Sequence, residues 1–238
     1  MRLIKEKDQI TITDLNKNKK YPYKQYNRFS GVQGRRYLVD EKPVPSVTTI
    51  LSNTKDRKFL DDWIKRVGKE QADKITKSAS DIGSEMHLCL ENYLNGDGYY
   101  NLTPWGEKPR IMAHKILENL ESLQEVWGNE ISLAYKDKYA GTADLVALYD
   151  GEPTIIDFKQ ANRPKKEEWV EDYKLQLGAY YLAHREAYGP ITRGLISICT
   201  RDLTYQSFML RERDLDEYSD KFLKRVEKYN DMLKESNP

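Results

Sequence analysis

The sequence predicts a mixed α/β domain with a helical elaboration on its N-terminal side. Two observations carry this. Apolar residues recur at helical spacing between Val47 and Trp127, and the order after that is three strands, a helix, two strands and a final helix. The dipeptide Asp150-Gly151, set between two strand-like runs, marks a tight hairpin that joins the second and third strands.

The elements follow in order. Residues 1–45 are polar and punctuated by Gly and Pro, with short strand-like pieces such as ITIT and RYLVD. Val47 to Leu51 opens a helical region. Asp56 to Thr76 reads as one helix, with Phe59, Trp63, Val67 and Ala72 near helical spacing. Ser80 or Asp81 can cap a further helix through Leu94, stopped by Asn95-Gly96-Asp97-Gly98. Pro104 to Trp127 reads as another helix, and Glu130–Lys136, Tyr139–Tyr149 and Pro153–Gln160 as strands. Trp169 to Tyr188 is helical, Arg193–Thr200 and Tyr205–Leu210 pair as strands, and an amphipathic helix runs from about Asp214 to Lys234. This divides the chain into a basic aromatic segment, 1–45, and one domain, 46–238, helical to 128 and sheet-based from 129.

Composition narrows the function classes. Hydrophobic residues are 39% and charged residues 32% of 238, enough apolar content for a core. No apolar run approaches the ~18 residues of a membrane span, so no membrane partner is expected. The charged N-terminus has no apolar stretch of a signal peptide and few arginines for a transit peptide; a cytoplasmic setting is the expectation. The only cysteines, Cys89 and Cys199, are far apart, which excludes a disulfide framework, an all-cysteine zinc site or a four-cysteine iron–sulfur cluster within the chain.

Net charge is +1, but it is unevenly spread: residues 1–80 hold 19 Lys+Arg against 10 Asp+Glu, leaving 20 against 28 for the rest. A basic first third suits a polyanion. Lys19 to Tyr37 interleaves Lys and Arg with Tyr21, Tyr23, Tyr26, Phe29 and Tyr37. Such a segment can hold phosphates and stack on unpaired bases, or be a solvated loop with ordinary tyrosines.

The sharpest signal is GTADLVALYDGEPTIIDFKQ, Gly141 to Gln160, where Asp144, Asp157 and Lys159 interrupt apolar strands. Asp157 and Lys159 are two apart and share a strand face, and the hairpin brings Asp144 to the same patch. Two converging carboxylates repel unless a cation neutralises them, and oxygen ligands suit Mg²⁺ or Mn²⁺. A lysine beside them can hold a water or stabilise phosphate charge. A lone Asp-x-Lys on a solvent-facing strand would be unremarkable.

The surroundings add to it. GTADLVALYDGEPTIIDFKQA followed by QLGAYYLA resembles the PD-(D/E)XK nuclease superfamily, and in particular its RecB-like exonuclease branch. GSEMHLCLENYL, Gly83 to Leu94, fits the G-x-x-x-H-x-x-L-E motif of that branch, and VPSVTTIL, Val44 to Leu51, resembles the PSVTT motif of the mitochondrial genome maintenance exonuclease group and its phage relatives. The resemblance spans roughly Val44 to Thr200. It implies a restriction-endonuclease-like core, a mixed central sheet flanked by helices.

The resemblance also implies roles. Asp144 and Asp157 match metal-binding acids, Lys159 the catalytic lysine, and the Phe158 carbonyl a backbone metal ligand. His87 matches the histidine completing the metal site, with Glu91 a supporting partner and Glu130 a candidate for an outer water or second metal. Gln176 and Tyr180 match the Q-x-x-x-Y pair that positions phosphate and lysine. Ser46, Thr48 and Thr49 could donate hydroxyls to DNA phosphates, though Thr48 could equally be a helix N-cap; Arg201 could touch phosphate. His114 and His184 match no motif.

The implied function is a Mg²⁺-dependent DNA exonuclease, Mn²⁺ substituting, acting on single-stranded DNA with a free end passed under an arch of N-terminal helices. Alternatives are a structure-selective or sequence-specific endonuclease on the same fold and a noncatalytic single-strand-binding module. Replication or recombination proteins are conceivable partners that the sequence does not identify.

Overall fold

A computed structural model describes all residues except 1, 7–8, 14–15, 18, 32–33, 98–100, 102 and 237–238, with backbone only for the strands before residue 18 and for Ser236. Strands β1 (Arg2–Glu6) and β2 (Gln9–Thr13) form a separate antiparallel pair, and β3 (Asn16–Lys17) lies beside the main sheet. Strands β4 (Asn27–Gly31), β5 (Gly34–Val39) and β6 (Lys42–Pro45) make a three-stranded antiparallel sheet. Its inner residues Tyr37, Val39 and Val44 bury against Ala140, so this sheet sits on the main one.

Helix α1 (Val47–Thr54) is started by Ser46, whose side chain accepts from the Thr49 N–H at 3.0 Å. The Asp56–Thr76 helix expected from spacing is two: α2 (Lys58–Val67) and α3 (Lys69–Asn95). Gly68 between them has φ 84°, a backbone conformation that costs glycine little and other residues much. No cap forms at Ser80 or Asp81; α3 runs straight through both, and Asp81 is tied instead to Lys77 one turn earlier at 2.8 Å. The predicted stop is found, with Gly96 left-handed at φ 75°. Helix α4 (Pro104–Glu118) is shorter than the expected Pro104–Trp127. Residues 123–127 belong instead to β7 (Leu123–Tyr135), because Leu123, Val126 and Trp127 are buried on the sheet.

Strands β8 (Tyr139–Tyr149) and β9 (Glu152–Ala161) follow as read, joined through Asp150 and Gly151, both at positive φ as a type I′ turn needs. Helix α5 (Glu171–Ala187), preceded by a 3₁₀ turn at Glu167–Trp169, crosses over to β10 (Arg193–Thr200), which lies parallel to β9. Strand β11 (Tyr205–Arg211) and helix α6 (Glu212–Ser236) end the fold. The sheet order is β11-β10-β9-β8-β7-β3. One face carries α1, α5 and α6 through Ile50, Leu175, Leu177, Leu215 and Phe222; the other carries α3 and α4 through Met86, Leu90, Met112 and Ile116. Neither Cys89 nor Cys199 is in a disulfide, and both are buried in the second layer. This is the mixed α/β core expected from the sequence, a mixed central sheet with helices on both faces.

Candidate active site

The antiparallel ladder of β8 and β9 ends at Leu145↔Ile156. One step further in the same register would set Asp144 opposite Asp157, and there the strands separate. On the other side, Asn129↔Leu145 and Ile131↔Ala143 are paired, while Glu130 and Asp144 between them are skipped. Glu130 sits at φ 49°, strained for a residue with a side chain. Three acids from three adjacent strands therefore occupy one row of the sheet where it opens.

The opening leaves a backbone donor without a strand partner. Phe158 N–H donates instead to Asp144 Oδ2 at 2.7 Å, while the Phe158 ring is buried in the α3–α4 layer. Helix α3 supplies His87, whose Nδ1 is 3.5 Å from Asp144 Oδ1 and 3.8 Å from Glu130 Oε1. Asn129 holds β7 to α3 by donating to the Glu91 carbonyl at 3.0 Å. One donor atom each from His87, Glu130 and Asp144 lie within 4.8 Å of one another.

Asp157 is set apart from this trio and is only 1% exposed. Lys159 Nζ contacts its Oδ2 at 2.5 Å, yet neither carboxylate oxygen has a hydrogen-bond partner of good geometry among the described residues. A buried carboxylate with free lone pairs is costly in a finished fold and fits a ligand for a cation.

The electrostatics are coupled. Burial pushes the Asp157 carboxyl up to about 6; Asp144 adds to this, while Lys159 and His87 oppose it. Burial also works against charge on Asp144, but His87, Lys159 and the Phe158 N–H hold that carboxyl below its ordinary value. For His87 burial alone would lower the pKa, and Asp144 and Glu130 overcome it to raise it to about 10. Burial likewise opposes the Lys159 ammonium, and Asp157 and Asp144 keep it charged. The surplus of acid here calls for positive charge. Imidazole and carboxylate oxygens are a donor set for a divalent cation such as Mg²⁺ or Mn²⁺.

A cavity of about 620 Å³ opens over His87, Asp144 and Lys159, with Asp157 buried beneath and outside its lining. Its lining includes His87, Glu130, Asp144, Lys159, Gln176, Tyr180, Ser46, Thr48 and Glu91. Gln176 Nε2 donates to Tyr180 OH at 3.1 Å across one turn of α5. The Tyr180 ring lies against Gly141, where a Cβ would come within 2.6 Å of Cε1. Burial raises the Glu91 carboxyl first, with a further push from Glu130.

Some expected contacts are redistributed. Ser46, not Thr48, is the N-cap; its own proton goes to Thr49 Oγ1, whose proton goes to the Arg35 carbonyl. The exposed Thr48 hydroxyl must then donate to Ser46 Oγ at 3.0 Å. Arg201 lies outside the cavity lining: it donates to Ser78 Oγ on α3 at 3.0 Å, so it braces the end of β10 rather than facing the site. Tyr21 and Tyr23 pack with Trp127, His184 and Tyr188, and Tyr26 packs on the small sheet, so all three rings are partly buried. His114 is a packing residue, bonded to Tyr93 OH at 2.5 Å.

Arg28 and Arg35 were not singled out from the sequence, yet both line the cavity from the β4–β5 hairpin. Their signal was present only as membership of the basic N-terminal segment. Tyr173, 5.3 Å from Lys159 Nζ at its ring centroid, carried no motif at all.

The sequence model of the PD-(D/E)XK nuclease superfamily matches residues 138–236. That range includes Asp144, Asp157, Lys159, Gln176 and Tyr180 but begins after His87 and Glu130. Mitochondrial genome maintenance exonuclease 1 of Mus musculus is 29% identical over 205 residues, covering 80% of this chain and 60% of that protein. The Homo sapiens protein of the same name is 25% identical over 209 residues, covering 82% and 60%. The chain thus spans about 60% of the length of the curated relatives it matches. A crystal structure from Eubacterium rectale aligns over 63% of this chain and 64% of its own, with a TM-score of 0.44 and 14% identity. The resemblance to the PD-(D/E)XK superfamily holds beyond the short motifs that first suggested it.

Proposed function

We propose that this chain, a relative of the PD-(D/E)XK nucleases, is a divalent-metal-dependent DNA exonuclease that acts on single strands with a free end. The observation that carries the reading is Asp157: buried, with no polar partner beyond the Lys159 contact, beside the point where β8 and β9 part and Asp144, Glu130 and His87 gather. Asp144, Asp157, His87 and the Phe158 carbonyl would hold the cation, with Glu130 at an outer or second position. A divalent ion held there supplies Lewis-acid polarisation of the phosphodiester and a more acidic bound water.

The chain's own groups do the rest. The Lys159 ammonium, kept charged by its acid neighbours, donates to a phosphoryl oxygen or fixes a water for in-line attack. Gln176 and Tyr180 set that phosphate from α5; burial keeps the Tyr180 hydroxyl protonated and able to donate. Arg28 and Arg35 bring positive charge to the cavity wall for the flanking phosphates. The preference for single strands with a free end is carried over from the sequence resemblance.

The test is cleavage of single- and double-stranded DNA labelled at either end, with Mg²⁺, alongside a closed circular single strand. Release of short products from linear single strands and an intact circle is the expected result. Cutting of the circle would make the chain an endonuclease, and no cleavage of any substrate would remove the assignment.

A further inference from the structure

Beyond the active strand, β9 runs into a short loop of another character: Arg163, Pro164, Lys165, Lys166 and, after Glu167 and Glu168, Trp169. The loop is fixed to the sheet. Lys165 N–H donates to Gln206 Oε1 of β11 at 2.7 Å, and Gln206 Nε2 donates back to the Lys165 carbonyl at 3.1 Å. Trp169 is 45% exposed, with Arg163 and Lys166 held 5.4 Å and 5.5 Å from its ring centroid. The acids nearby are already engaged: Glu167 by Lys174, Glu168 by Lys166 at 4.0 Å, and Asp172 by Lys55 at 2.6 Å. Among the described residues no ion pair is recorded for Arg163 or Lys165.

The loop leads back to the reacting centre. Asp172, which holds Lys55, adjoins Tyr173, whose ring meets Lys159 Nζ at 5.3 Å. Burial lowers the Lys165 pKa, and the like charges of Arg163 and Lys55 lower it further, so this side of the molecule gathers more cations than it neutralises. An exposed indole flanked by cations, of which Arg163 and Lys165 have no ion pair among the described residues, matches what one unpaired base and its flanking phosphates need: a stacking face and a charge for the backbone.

We infer that the Arg163–Trp169 loop is a docking subsite for single-stranded DNA outside the active cavity, with Trp169 stacking on a base and Arg163 and Lys165 holding the adjacent phosphates. The inference rests on the nuclease reading above and extends it to a second contact region. Stacking here would hold the strand while the phosphate at Lys159 reacts, so it should act on affinity and leave the rate at saturation alone.

The experiment uses the full chain and a fluorescein-labelled oligothymidylate. Affinity is read by anisotropy in chelator at two salt concentrations, and cleavage with Mg²⁺ at increasing oligonucleotide concentration. Trp169→Ala should weaken binding about five- to 150-fold, the equivalent of one lost base stack, and Trp169→Phe should recover most of it. Arg163→Gln with Lys165→Gln should reduce the salt slope by about 1.4, at about 0.7 per single-strand phosphate contact. Both variants should keep the parent's saturating rate and melting temperature. If the parent cleaves and the variants bind as it does at both salts, the subsite is wrong and the nuclease reading stands. A loss of saturating rate or of melting temperature in Trp169→Ala that matches the lost affinity would make Trp169 a structural residue and also overturn the inference. A parent that neither binds nor cleaves would remove both readings.

Discussion

Asp157 and Lys159 form a contact of 2.5 Å at the base of the cavity, in which the acid is buried and otherwise unbonded and the lysine reaches the opening. The pair is poor as a stabilising device, because its desolvation is not offset by further hydrogen bonds. It is suited to a centre in which a cation and a phosphate complete the shell. Lys159→Ala and Asp157→Asn should each lower DNA cleavage by about 10²–10³ or more. Asp157→Asn removes a buried charge that Asp144 opposes, so its melting temperature should be unchanged or higher. Near-parental cleavage by either variant would put the reacting centre elsewhere.

Metal should register without catalysis. Cations that bind the folded chain add stability as RT ln(1 + [L]/Kd), about 2.7 kcal/mol at 100 times Kd. Mg²⁺ or Mn²⁺ should therefore raise the melting temperature of the parent, and Asp144→Asn should diminish the rise. Cleavage should stop in chelator and return with either ion. An equal rise in parent and variant would show that the cation binds at another place.

Two glycines at the cavity should respond in opposite ways. At Gly141 an added Cβ would stand 2.6 Å from the Tyr180 ring, and Tyr180 is bonded to Gln176. Gly141→Ala should cost about 1–3 kcal/mol of stability by overpacking and lower cleavage with it. At Gly83 the nearest atom to an added Cβ is Gln160 Cβ at 3.9 Å. Gly83→Ala should fold normally and stabilise α3 by up to about 1 kcal/mol. Denaturant titration of both variants decides this.

His184 should make the fold acid-sensitive. Its Nδ1 lies 3.0 Å from the Gly189 carbonyl, which can only accept, so Nδ1 carries the proton and Nε2 accepts from the Tyr23 hydroxyl at 3.0 Å. Burial lowers the folded pKa from 6.5 to about 4, opposed by the Gly189 bond and assisted by Lys20. The folded state then binds fewer protons than the unfolded one between those values. Stability should be intact above about pH 6.5 and fall by up to about 3 kcal/mol as pH drops to about 4. Tyr23→Phe, which leaves Nε2 without its donor, should cost about 1–3 kcal/mol at neutral pH and leave single-strand affinity unchanged. Weakened binding at unchanged stability would return Tyr23 to the substrate path.

The sequence by itself determined the pieces whose signals are local. The limits of β8, β10 and the turn at Asp150-Gly151 follow from alternation, apolar runs and the backbone freedom of glycine, all read within a few residues. The place of the candidate site was also legible, because charge inside a strand such as β9 is costly enough to need a reason. What only the tertiary structure decided depends on partners far along the chain. The parting of β8 from β9 at Asp144, the arrival of His87 from α3 and the entry of Arg28 and Arg35 from a separate hairpin are set by how layers pack. The same holds for an error of reading: Trp127 left its helix for β7 because the sheet buries it. Burial is a long-range property, and it decides whether an aromatic or a charged side chain meets solvent, substrate or core.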